Sequence, residues 1–125
     1  MGGLKNKFSK KMKKKPNILV VCGRNERRSR TAEYVFKNDA RFNIRSGGLS
    51  PKSNRQFSKK DLLWADIVFV MQDGQSGRIQ GVYRNIDLPP IEVLDIEDKY
   101  EYLDNELIAL LTERINSTLK IVYKI

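Results

Sequence analysis

Apolar positions along this chain fall into short unbroken runs, separated by stretches in which they recur every three or four residues. Ile18-Leu19-Val20-Val21 is rich in β-branched side chains and has no polar alternate, the pattern of a strand buried on both faces. It stops at Cys22-Gly23. Over residues 29–38, Ala32, Val35 and Phe36 share one side of a helical period, which predicts an amphipathic helix. Phe42 and Ile44 alternate with Asn43 and Arg45 as in a second strand, and Ser46-Gly47-Gly48 predicts a turn away from it. Residues 51–56 are polar and predict a loop. Ser58-Lys59-Lys60-Asp61 is a capping-box signature that opens a short helix through Leu62, Leu63 and Trp64. Ile67-Val68-Phe69-Val70-Met71 is the third strand. Residues 73–81 carry Gly74, Gly77 and Gly81 and predict a loop with at most one helical turn. Beyond the Pro89-Pro90 stop, Ile91-Glu92-Val93-Leu94 gives a fourth strand. The last helix has the clearest period: Leu107, Leu111, Ile115 and Leu119 form a stripe that Ile108 and Val122 widen, with Asp104 as N-cap.

Near-continuous apolar strands alternating with helices predict a single three-layer α/β domain, a four-stranded parallel sheet with helices on both faces. Such sheets bind ligands beyond the carboxyl ends of their strands, where strand order reverses. Functional side chains are therefore expected just after Val21, Arg45, Met71 and Leu94.

Charge changes the picture at one end. The 125 residues carry 24 Lys plus Arg against 15 Asp plus Glu, a net charge of +9. Lys5, Lys7, Lys10, Lys11, Lys13, Lys14 and Lys15 all precede Pro16 with no acid among them, which leaves 17 basic against 15 acidic residues in the rest. Residues 1–15 thus read as a self-repelling basic tail with little to bury, and residues 16–125 as the folded domain. The tail suits an anionic surface, whether membrane or nucleic acid, or acts as a solubilising extension ahead of a start at Met12. Nothing in it resembles the apolar core of a secretory signal, so the cytoplasm is the expected compartment. No apolar run is long enough to span a membrane.

Composition also narrows the chemistry. With no histidine and one cysteine, the chain builds neither a Ser-His-Asp nor a Cys-His pair, no disulfide, and no zinc site of the usual kind. Proton transfer in an enzyme of this composition falls to carboxylates, Lys, Tyr or the thiol. The first strand end holds that thiol, in Cys22-Gly23-Arg24-Asn25-Glu26-Arg27-Arg28-Ser29, a Cys-x5-Arg-Ser string between a strand and a helix. A loop wrapping into a helix N-terminus presents converging N–H groups to a phosphate. The same field favours thiolate. Arg28 is spaced to fold over the loop and hold two phosphate oxygens with its planar fork. Ser29 is placed to donate toward the sulfur, and Asn25 tolerates left-handed backbone and can brace the loop.

With these residues in place, the chain resembles the low-molecular-weight protein tyrosine phosphatases, and within them a short, little-characterised branch of predicted tyrosine phosphatases. Val20-Val21-Cys22 through Arg28-Ser29 is similar to their phosphate loop, Thr31-Ala32-Glu33 to their first helix, and Arg45-Ser46-Gly47-Gly48 to their Ser-Ala-Gly segment. Residues 65–71 resemble their third strand, and Leu94-Asp95-Ile96-Glu97-Asp98-Lys99-Tyr100 the branch's tail segment.

The resemblance implies hydrolysis of phosphomonoesters, on a phosphorylated protein or a small molecule, without metal or other cofactor. Cys22 would be the nucleophile and form a cysteinyl-phosphate. Arg28 and the loop residues Gly23, Arg24, Asn25, Glu26, Arg27 and Ser29 would hold the phosphoryl group. The family's acid is an Asp before Pro after the fourth strand. Asp98 aligns with it, Lys99 standing where that Pro would be, and Asp95 is the rival acid. Two departures carry expectations. Arg24 stands where glycine is usual and would be strained if the backbone there were left-handed. Arg27 replaces the second loop cysteine of many members, so oxidised Cys22 has no neighbouring thiol to trap it. The extra arginines suggest a mouth suited to a strongly anionic ligand. Two other readings remain: a non-catalytic phosphate or polyanion binder, such as a nucleic-acid module, and an arsenate reductase drawing on an external thiol.

Overall fold

A computed structural model describes residues 15–24 and 26–125; the lysine run up to Lys14, and Asn25, lie outside the described residues. The strands are β1 (Asn17–Cys22), β2 (Asn43–Gly48), β3 (Ile67–Val70) and β4 (Ile91–Val93). The helices are α1 (Arg27–Phe36), α2 (Lys59–Trp64), α3 (Asp73–Val82) and α4 (Asn105–Tyr123). All strand pairs are parallel, in the order β2-β1-β3-β4. The expected α/β architecture is present, with β1 at the centre.

Burial follows the period-two alternation of β1. Ile18, Val20 and Cys22 face one layer, packed with Ala32 and Phe36 of α1 and the Leu107, Leu111, Ile115 and Leu119 stripe of α4. Leu19 and Val21 face the other, with Leu62 of α2 and Ile79 of α3. Both faces of the central strand are covered, which is why its sequence shows no polar alternate. Chain order leaves β1 for β2 on one side and returns to β3 on the other, so the reversal point is the carboxyl end of β1 and β3. Cys22 closes β1 there.

Two elements differ from expectation. The segment Ser46-Gly47-Gly48 continues β2 instead of turning, pairing Gly48 with Cys22 across the sheet. A Cβ on Gly47 would lie 2.8 Å from that of Phe57, so the absence of a side chain lets the returning segment pack flat against β2. Residues 73–82 form a ten-residue helix where a loop was expected. Its start is tethered by Gln75, whose Oε1 accepts from the backbone N–H of Met71 (2.7 Å) and Gln72 (3.2 Å), and Ile79 anchors it in the core. Side chains added at Gly74, Gly77 or Gly81 would touch nothing, so these glycines weaken the helix without serving a contact.

Candidate active site

Four loops meet at the carboxyl edge of the sheet. The β1–α1 loop is central, because β1 is central. Cys22 is buried, with Sγ 3.0 Å from Ser29 Oγ. The Ser29 hydroxyl also lies 3.3 Å from the Glu26 carbonyl, to which it donates. Its proton therefore has two destinations, the carbonyl while sulfur is a thiol and the sulfur once it is a thiolate. Burial pushes the Cys22 pKa above the ordinary thiol value. The Ser29 hydroxyl and N–H and the Arg28 charge pull it down, and Glu26 pushes it up again. In the free protein burial prevails, so the expected bias toward thiolate is not met.

Glu26 does not reach outward as a ligand for the phosphoryl group. It is 2% exposed, and its carboxylate accepts the backbone N–H of Asn54 at 2.7 Å and of Arg55 at 3.3 Å. Its φ of 59° is left-handed, a conformation costing a non-glycine residue about 1–2 kcal/mol. That strain falls on Glu26; Arg24, where it was expected, is not among the positive-φ residues. Two further bonds clamp residues 49–55 to the same loop: Leu49 N–H donates to the Cys22 carbonyl (2.9 Å) and Ser53 Oγ to the Gly23 carbonyl (3.4 Å). Gly48 permits this approach, since a Cβ there would overlap the Ser53 side chain and lie 2.8 Å from the Gly23 carbonyl.

Arg28, in the first turn of α1, is buried. Its Nη1 donates to the Ile96 carbonyl at 2.6 Å, and its Nε lies 3.7 Å from Asp98 Oδ1. Asp98 is half exposed, at the rim. Of the two candidate acids, Asp98 is thus the one brought to Arg28. Asp95 is exposed with a φ of 57°, and its carbonyl is held by Arg114 at 2.6 Å.

Two of the remaining arginines are engaged with residues 101–102. Arg27 pairs with Glu101 at 3.3 Å, and the Arg30 guanidinium lies 4.7 Å from the centre of the Tyr102 ring. Thr31 Oγ1 accepts the Leu103 N–H at 3.0 Å. Together these contacts staple residues 96–103 over the start of α1 and set where Asp98 stands. Arg24 is exposed, and Gly23 faces Gln75, whose Nε2 would be 3.8 Å from a Cβ at that position. Gln75 at the site and the inward turn of Glu26 escaped the sequence reading. The first had a signal, Gln72-x-x-Gln75 after a strand, which is a capping box in amide form. Among the described residues no cluster of His, Cys, Asp or Glu has the makings of a metal site, and no helix is long and apolar enough to cross a membrane.

Neither family models nor curated proteins match this chain. Solved structures do. The chain is similar to the low-molecular-weight protein tyrosine phosphatase SP-PTP from Streptococcus pyogenes, with a TM-score of 0.70 at 16% identity over 86% of this chain and 93% of that one. It is also similar to the YwlE arginine phosphatase from Geobacillus stearothermophilus, with a TM-score of 0.64 at 21% identity over 85% and 94% of the two chains. A third likeness is to the tyrosine phosphatase Wzb from Escherichia coli K30 in complex with phosphate, with a TM-score of 0.59 at 14% identity over 87% and 99%. The domain therefore has the low-molecular-weight protein tyrosine phosphatase fold, and the resemblance read from its sequence holds at that level.

Proposed function

We propose that the protein is a phosphomonoester hydrolase working through a cysteinyl-phosphate, with protein phosphotyrosine as its substrate class. The observation that carries this reading is the convergence of three groups: Cys22 Sγ hydrogen-bonded to Ser29 at 3.0 Å, Arg28 six residues on in the first turn of α1, and Asp98 held 3.7 Å from Arg28. The fold is one on which tyrosine and arginine phosphatases both occur.

The steps follow from these positions. A phosphate entering the loop brings its negative charge to Arg28 and the N-terminus of α1. The Cys22 thiol proton passes by way of a phosphoryl oxygen to the Asp98 carboxylate, and Ser29 turns its hydroxyl proton from the Glu26 carbonyl to the sulfur, supporting the thiolate as it forms. The thiolate attacks phosphorus in line, the S–P bond forms and the P–O bond to the leaving group breaks. Asp98 gives its proton to the departing oxygen. Asp98, now a carboxylate, takes a proton from water, which attacks phosphorus and releases Cys22 and inorganic phosphate. Arg28 balances the charge spread over the equatorial oxygens throughout.

The test is hydrolysis of p-nitrophenyl phosphate in EDTA, followed by phosphotyrosine and phosphoarginine peptides. Cys22→Ser should abolish turnover. Asp98→Asn should lower kcat about 10²–10⁴-fold, while Asp95→Asn leaves it within about twofold, as expected of an exposed group outside the site. Loss of kcat in Asp95→Asn instead would move the acid. Phosphate binding without turnover of any of the three substrates would favour the binding-module reading.

A further inference from the structure

The end of the molecule opposite Cys22 gathers features that phosphoryl chemistry does not use. Because the strands are parallel, their starts share one edge: the Pro16 carbonyl accepts the Asn43 N–H at 2.9 Å, and the Asn17 carbonyl accepts the Asp66 N–H at 2.8 Å. Helix α4 starts beyond β4, on the Cys22 side, and ends at this edge. Its Tyr123 phenol, pushed up to about 12 by burial and then by the charge of Asp66, sits close to the residue that also accepts the Asn17 N–H. Arg41 links Asp39 (2.8 Å) to the carbonyl of Ile125 (3.4 Å), and the charge of Lys15 reaches Asp39. Lys15, the last of the seven lysines, therefore lies on the side of the domain where α4 ends.

The last turn of α4 is unusual in what it shows to solvent. Ile121 is 79% exposed, and Val122 and Ile125 are 49% and 37% exposed. Lys120 and Lys124 flank them, and Lys37 is exposed at the end of α1. Among the described residues the acids facing this edge are already paired, Asp39 with Arg41 and Asp66 with the Asn17 N–H.

We propose that this end is a docking surface for an anionic lipid bilayer: Ile121, Val122 and Ile125 enter the headgroup region, and the lysines of residues 5–15 supply the attraction. Exposed aliphatic side chains gain from the acyl boundary and gain nothing from phosphodiester backbone, and the run holds neither arginine nor a stacking partner for each base, so lipid fits better than nucleic acid. A second copy of the chain fits worse still, since seven like charges on each copy would be brought together. Docked this way, the chain presents the Cys22 edge to the side away from the bilayer.

The experiment is co-sedimentation of the full chain with phosphatidylcholine vesicles, with and without phosphatidylserine, beside two variants. Lys10→Gln/Lys11→Gln/Lys13→Gln should reduce partitioning onto phosphatidylserine vesicles about a hundredfold. Ile121→Ser/Val122→Ser should reduce it about tenfold, reflecting lost burial of two aliphatic side chains. Both should keep the wild-type unfolding temperature. Binding to phosphatidylserine vesicles no tighter than to phosphatidylcholine would overturn the proposal. So would undiminished binding by the serine variant, which would leave the lysine run acting alone. Release from the vesicles by an equal phosphate concentration of DNA or RNA would reassign the surface to nucleic acid. Lipid-free dimerisation abolished by the serine pair would reassign it to a second copy.

Discussion

Cys22 sits where opposing influences meet, and their balance is measurable. It is 1% exposed, and burial, which disfavours thiolate, is the largest influence on it; Ser29 and Arg28 resist that and Glu26 reinforces it. Arg28 is weakened as a counter-charge by Asp98 at its Nε and by its bond to the Ile96 carbonyl. Alkylation of Cys22 by iodoacetamide should therefore inflect above the ordinary thiol range in the phosphate-free protein. Ser29→Ala should move the inflection higher. Glu26→Gln should move it lower while keeping the loop clamp, because a Gln Oε1 still accepts the N–H groups of Asn54 and Arg55. An inflection near neutrality in the wild type would contradict this account. The same shift carries a stability signature. The folded state holds the proton more tightly than the unfolded chain, so this contribution is complete below the unfolded thiol pKa and is lost as pH rises through the raised folded value. Cys22→Ser should flatten the alkaline decline in unfolding temperature.

At the scale of elements, α3 and α4 form for opposite reasons. Helix α4 is held by a stripe of four fully buried side chains, and Leu111→Ala should destabilise the domain by about 2–5 kcal/mol in urea denaturation. Helix α3 buries only Gln75 and Ile79 and contains three glycines with open space before them. Gly77→Ala should accordingly stabilise by about 0.5–1 kcal/mol with no change in hydrolysis; destabilisation would mean that α3 tolerates no side chain there. This contrast explains what was legible in the sequence. The stripe of α4 and the apolar runs of β1 and β3 are encoded in burial, which periodicity reports directly. Helix α3 rests on one amide tether and one core anchor, too little to register as a period, and its glycines argue for a loop. The site was legible in the same uneven way. Cys22, Arg28 and Ser29 stand within one contiguous eight-residue stretch, from the end of β1 to the first turn of α1. Glu26 bonds to N–H groups 28 and 29 residues away, which no local pattern reveals. The position of Asp98 depends on the contacts of Arg27, Arg30 and Thr31 with residues 101–103.

For the whole molecule, the decisive fact is that one sulfur in 125 residues is cysteine, and the fold places it at the hub of the sheet. Peroxide converts a thiolate to a sulfenate with release of water, and a second thiol within reach would condense with the sulfenate to a disulfide that reductant reopens. Here the neighbour at the matching loop position is Arg27, turned toward Glu101, and the chain offers no other thiol. Burial gives partial protection instead, by restricting access and by keeping sulfur protonated at neutral pH. The two effects predict a particular time course. Inactivation by peroxide should be slow near pH 7 and accelerate as pH rises toward the raised thiol pKa. Dithiothreitol should restore activity after brief exposure, while sulfenate persists, and progressively fail as sulfinate accumulates. Inorganic phosphate should slow both phases by occupying the loop. Full recovery after prolonged peroxide treatment would mean that sulfenate is trapped by some other group, and mass spectrometry of Cys22 would then show a bond to nitrogen instead of added oxygen.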